Sequence, residues 1–84
     1  MYNRIVLKVP PICPQCGKEM REETEDGEWQ SKDTEVNGVD QELEMETYKL
    51  EDMTAGEFHG GCEHCDSFVE FHVRNGEIIN SELR

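Results

Sequence analysis

Apolar and polar residues alternate over much of this chain, and a period of two is the signature of strands rather than helices. In residues 2–9, Ile5, Leu7 and Val9 share one parity, and the run ends at Pro10-Pro11, which cannot continue a hydrogen-bonded ladder. The pattern is clearest near the C-terminus. Residues 67–74 place Val69, Phe71 and Val73 on one face and Phe68, Glu70 and His72 on the other. Asn75-Gly76 then turns the chain and residues 77–83 return. Residues 19–24 predict a short return strand closed by Asp26-Gly27. Residues 28–36 predict a polar strand whose few apolar residues include Trp29 and Val36, followed by a second hairpin dipeptide, Asn37-Gly38.

Residues 39–53 carry two periods at once. Glu42, Glu44 and Glu46 alternate with Leu43, Met45 and Thr47, as in a strand with one acidic face. Val39, Leu43, Leu50 and Met53 also fit a helical stripe. The preceding Asn37-Gly38 favours the strand. Residues 57–61 lead onward through Gly60-Gly61. The pattern predicts a small all-β fold, with antiparallel hairpins and one domain over residues 1–84.

Composition sharpens this picture. The chain has 84 residues, 35% of them hydrophobic, and a mean hydropathy of −0.81. So short and polar a chain buries little apolar surface, and a structural metal is one way to make up the deficit. The net charge of −12 is concentrated: residues 17–61 hold 15 of the 20 acids and four of the eight bases. That disfavours direct contact with a nucleic-acid backbone, which needs Lys and Arg. No run reaches the roughly 18 apolar residues of a membrane span, and residues 1–9 lack the features of a signal peptide. Free thiols without a secretion signal lead to the expectation of a cytoplasmic protein.

The four cysteines carry the chemistry. Cys13-Pro14-Gln15-Cys16-Gly17 and Cys62-Glu63-His64-Cys65 are two C-x-x-C pairs separated by 45 residues. Two intervening residues let a tight turn aim both sulfurs at one ion, and four thiolates complete a closed tetrahedral zinc site. Cys13, Cys16, Cys62 and Cys65 are therefore the expected metal ligands. Disulfides inside a C-x-x-C would close almost no loop and stabilise little. A redox C-x-x-C normally opens a helix beside a βαβ pattern, which is not the pattern here. Iron in the same four-thiolate cage remains open.

These two pairs, with a hairpin after the second, resemble a zinc ribbon. The resemblance implies two knuckles clamping one zinc, a three-stranded antiparallel sheet, and the same four cysteines as ligands. The chain departs from that pattern in Asp66, where glycine is common, and in its long acidic insert at residues 17–61. The first knuckle also resembles that of rubredoxins, which implies iron and electron transfer. Rubredoxin knuckles are usually closer together, with several aromatics packed near the iron, whereas the six aromatics here are scattered along the sequence.

No catalytic set emerges, and a four-cysteine site leaves no position for a reactive water. The expectation is accordingly a non-enzyme. His59, His64 and His72 read as exposed or near-metal residues rather than ligands. Trp29, Tyr48 and Phe58 read first as core, with Trp29, in the most polar stretch, also a candidate partner anchor. Ribbons serve many roles, so fold alone does not give function. The charge pattern supplies the expectation: an acidic protein-binding module, monomeric or weakly dimeric. It would act as a regulator, inhibitor or nucleic-acid mimic on a protein with a basic patch, with Glu42, Glu44, Glu46 and Trp29 as candidate contacts.

Overall fold

The computed structural model describes residues 2–20 and 29–84. Among these residues seven strands form one open sheet: β1 (Asn3–Val6), β2 (Trp29–Val36), β3 (Val39–Asp40), β4 (Thr47–Lys49), β5 (Met53–Gly61), β6 (Phe68–Arg74) and β7 (Glu77–Leu83). A 3-10 turn, Leu50–Asp52, links β4 to β5, and no α-helix occurs among the described residues. The sheet runs β4-β1-β2-β5-β6-β7, with β3 hairpinned onto the end of β2. Its pairings are antiparallel except that of β1 with β4.

The all-β class is as expected, but the sheet is larger than the three strands implied by a zinc ribbon. The difference lies in the stretch between the cysteine pairs. It supplies four of the seven strands, two of which, β2 and β5, lie at the centre of the sheet. It is therefore not an appendage to a ribbon. It is half of the sheet that carries both knuckles.

The hairpin formed by β6 and β7 matches its expected position to within one residue, and Asn75 and Gly76 both have positive φ, as a type I′ turn requires. Asn37 and Gly38 do the same between β2 and β3. The predicted strand at residues 39–53 is only partly found. β3 lasts two residues, residues 41–46 are irregular, and β4 covers three. Alternation failed as a guide there because neither face is buried: Glu42, Glu44, Met45 and Glu46 are all exposed. Of the predicted strand at 19–24, Glu19 and Met20 return beside the chain entering the first knuckle, through an Ile12–Glu19 bridge and Met20 N–H donating to the Pro11 carbonyl at 2.8 Å. Its remainder and the Asp26-Gly27 turn lie outside the described residues.

The core gathers Ile5, Met20, Trp29, Met53, Phe58, Val69, Phe71 and Val73 with the two buried cysteines, Cys13 and Cys62. Phe58 and Phe71 stack at 5.0 Å between ring centres, and Trp29 meets both edge-on at 5.4 and 5.9 Å. Trp29 is only 3% exposed. The aromatic proposed as a surface anchor is thus a core residue, which corrects that reading: β2 directs it inward despite its polar neighbours.

The rest of β2 is held by hydrogen bonds, not apolar contact. Asn3, Ser31 and Thr34 are buried and form a relay. The Asn3 amide donates to the Thr34 hydroxyl (3.4 Å), Thr34 to Ser31 (2.8 Å), and Ser31 to the Glu57 carbonyl. Buried polar groups are tolerated when paired in this way. β2 also bulges between Gln30 and Asp33. The Glu57 carboxylate accepts the backbone N–H groups of Lys32 (2.6 Å) and Asp33 (3.1 Å) at that point, replacing ladder bonds that the bulge interrupts. Opposite, Gly56 has φ +129°, and a Cβ there would stand 2.1 Å from the Asp33 carbonyl oxygen, so the strands approach closely only because the side chain is absent.

Candidate metal centre

Each knuckle is a tight turn built by its own backbone. In the first, Gly17 N–H donates to the Cys13 carbonyl at 2.9 Å, and Cys13 N–H to the Lys18 carbonyl at 2.9 Å. In the second, Asp66 N–H donates to the Cys62 carbonyl at 2.9 Å, and Cys62 N–H to the Ser67 carbonyl at 2.7 Å. The two turns are near repeats. Asp66, the departure from the usual pattern, occupies the position of Gly17 and adopts the same left-handed backbone, φ 58° against 75°. Asp is among the few side chains that tolerate that conformation.

β5 delivers the second knuckle and β6 leaves it, so the central hairpin of the sheet fixes Cys62 and Cys65. The first knuckle follows β1. The two are 45 residues apart in sequence, yet all four sulfurs lie within 4.8 Å of one another. The closest approaches cross between knuckles: Cys13 to Cys65 at 3.7 Å and Cys16 to Cys62 at 3.6 Å. A disulfide needs about 2.0 Å, and all four cysteines are free. Four sulfurs about 2.3 Å from a central ion stand roughly 3.8 Å apart at tetrahedral angles. The cluster therefore fits a metal ion held by all four predicted cysteines, two from each knuckle. Neither C-x-x-C opens a helix, so the geometry of a thioredoxin-type redox pair is not present.

As free thiols the four are inequivalent. The Ser67 hydroxyl, 3.3 Å from the Cys65 sulfur, and then the Ser67 backbone bring Cys65 down to about 7, against the opposing effect of burial. For Cys16 the strongest single influence, a backbone hydrogen bond from Lys18, is lowering. Burial and the neighbouring Cys62, Cys13 and Cys65 thiols outweigh it and push Cys16 up to about 11. A divalent ion would relieve that crowding by holding all four as thiolates. Cys13 and Cys62 are buried while Cys16 and Cys65 are half-buried, so the cluster has one side in the core and one toward the surface.

No histidine joins the four sulfurs. His64, within the second knuckle, stands 3.7 Å from Glu63. His59 is only 9% exposed, and its Nδ1 lies 3.3 Å from the Glu57 carboxylate, so it is a buried support of the β2 bulge rather than a surface residue. His72 lies on the outer face beside Glu70, as expected. Glu57 and Ser67 are the supporting residues that sequence reading missed. Ser67, two positions after the last cysteine, was visible as a possible sulfur partner. Glu57, one of 20 acids, carried no distinguishing signal.

The candidate contact residues separate. Glu42, Glu44 and Glu46 share one exposed segment, while Trp29 is buried in the core. That segment is pinned from beneath: Arg4 N–H donates to the Glu46 carbonyl at 2.8 Å, and Glu44 N–H donates to the Asn3 side-chain oxygen at 3.3 Å. A hydrogen bond with Glu42, then the charges of Glu42 and Glu46, raise the Glu44 carboxyl above its ordinary value. No helix among the described residues is long and apolar enough to cross a membrane. No family model, curated protein or solved structure matches this chain.

Proposed function

We propose that this protein is a small acidic zinc-ribbon module that works by binding another protein. Zinc, held by Cys13, Cys16, Cys62 and Cys65, is a closed structural centre with no open position for substrate, and the reading is accordingly non-catalytic. The working surface is the acidic segment, and its target is a basic patch on a cytoplasmic protein that handles nucleic acid. The module acts there as a regulator or inhibitor, occupying the patch as a nucleic-acid mimic would.

The observation that carries this reading is the crowding of Glu42, Glu44 and Glu46 on a backbone anchored to β1. Like charges held together cost stability, and a basic partner removes the cost. Long-range attraction would speed encounter and make the complex sensitive to salt. The test is capture of partners from source lysate at low salt by tagged, zinc-loaded protein, followed by elution in a salt gradient. Sharp elution of a basic nucleic-acid-handling protein, lost when the three glutamates are reversed to lysine, is expected. Binding unchanged up to ~0.5 M salt would contradict the electrostatic basis, because screening shortens the Debye length to under about 5 Å.

One observation favours a second reading, a rubredoxin-like iron electron carrier. Trp29, Phe58 and Phe71, scattered in sequence, come together in the same core as Cys13 and Cys62. Iron in four thiolates absorbs visible light and zinc does not, so the spectrum of freshly purified protein separates the two.

A further inference from the structure

On the outer face of the β6–β7 hairpin, three metal-binding side chains converge far along the chain from the first knuckle. Glu70 and Glu82 are directly opposite one another across the two strands, and His72 is two residues from Glu70 on the same face. The His72 Nε2 atom lies 3.2 Å from Glu70 Oε2 and 3.7 Å from Glu82 Oε1. It is enclosed, yet it makes no hydrogen bond among the described residues. Neither carboxylate is aligned to share a proton with it. The nitrogen is within ion-pair distance of both carboxylates but hydrogen-bonds to neither, and the His72 side chain is 34% exposed, so an ion can reach it from solvent.

A cation is the partner that suits all three atoms. Ligands about 2.0–2.2 Å from one first-row ion stand roughly 3.0–3.6 Å apart, close to the spacings seen. The three ligand atoms all lie within 4.8 Å of one another. One imidazole with two carboxylates is a donor set for a divalent ion that takes nitrogen and oxygen. Arg84 does not block it. Its guanidinium engages the other Glu70 oxygen, Oε1, and leaves Oε2 turned toward His72. A ligating carboxylate is ordinarily held by such an outer hydrogen bond. The same bond, with the Arg84 charge, keeps the Glu70 carboxyl below its ordinary value despite opposing burial.

We propose that Glu70, His72 and Glu82 form a second metal site for a divalent cation of the zinc class, separate from the four cysteines and independent of the protein-binding reading. Bound there, the ion would tie the edge strand β7 to β6. Its three protein ligands leave positions for water, unlike the closed thiolate centre.

The test adds Zn2+ to protein already holding one zinc in its cysteines, with uptake read by calorimetry and the His72 ring followed by nitrogen NMR. One further equivalent is expected, with a shift of His72 Nε2. Glu82→Gln and His72→Phe should each weaken uptake by at least about tenfold and leave the cysteine-bound zinc in place. Glu82 is exposed, so its variant keeps the fold. No further equivalent, or one that neither variant weakens, would overturn the proposal. In the second case the ion would be bound elsewhere on the chain.

Discussion

Two polar stretches between the cysteine pairs meet opposite fates. Trp29–Val36 becomes the long central strand β2. Residues 41–46, with a cleaner alternation of Glu against apolar residues, form no strand. Intrinsic propensity does not separate them. What separates them is where their side chains go. β2 sends Trp29, Ser31 and Thr34 inward, one to the aromatic cluster and two to the hydrogen-bond relay with Asn3 and Glu57. Residues 41–46 bury no side chain fully, and Thr34, Asn3 and Arg4 hold their backbone at single points. Alternation predicts a strand only when one parity has a buried surface to meet.

The harshest way to break this contrast is to remove the metal. Chelation, or Cys62→Ser, should unfold β2 and the acidic segment together, because the two knuckles tie the β5–β6 turn to the chain that leaves β1. Binding in such sites contributes on the order of 10 kcal/mol to folding. The expected outcome is loss of strand signal in circular dichroism, recovered on adding zinc for the chelated wild type but not for the serine variant. A chelated protein that keeps its amide dispersion would place the stability in the sheet alone.

Less severe is Trp29→Ala, which removes the ring that bridges Phe58 and Phe71. It should cost about 3–5 kcal/mol in denaturant unfolding with the metal retained. A cost below about 1 kcal/mol would show that the ring is not a core element. Glu57→Ala strands two backbone N–H groups at the β2 bulge. A loss of about 1–3 kcal/mol is expected, with faster hydrogen exchange at Lys32 and Asp33.

The acidic segment should answer differently. Reversing Glu42, Glu44 and Glu46 to lysine together should leave the melting temperature nearly unchanged while abolishing salt-sensitive partner binding. A melting point lowered as far as in the Glu57 variant would erase the distinction between the two stretches. The smallest effect is a titration. Glu44 is raised in the folded chain, so it binds its proton more tightly there than when unfolded. Its contribution to stability is present at low pH and lost as pH rises through the raised value. In Glu42→Gln/Glu46→Gln protein the Glu44 carboxyl should fall back toward its ordinary range, as followed by carboxyl carbon NMR.

These contrasts also mark what could be read from the chain. The gathering of the four cysteines was legible because two C-x-x-C pairs supply the four sulfurs of one tetrahedral site, and the C-terminal hairpin because Val69, Phe71 and Val73 alternate beside a decisive Asn-Gly turn. The scale of the sheet was not legible. β5 runs through Gly56, Gly60 and Gly61, which look like loop residues until the close approach of β2 explains Gly56. Trp29 was misread in part because its neighbours are polar, and only pairing with β1 and β5 shows which way it faces. Glu57 and His59 were illegible for a related reason. A buried carboxylate that caps a bulge differs from a solvated one only through backbone groups 24 and 25 residues away.

The most direct measurement is the metal content and X-ray absorption spectrum of purified Glu82→Gln protein, in which the second site is weakened, dialysed to remove loosely bound ions. The four-cysteine centre predicts one zinc per chain with four sulfurs at ~2.3 Å and no lighter ligand in the first shell. A first shell containing nitrogen or oxygen, or a folded protein without metal, would contradict it.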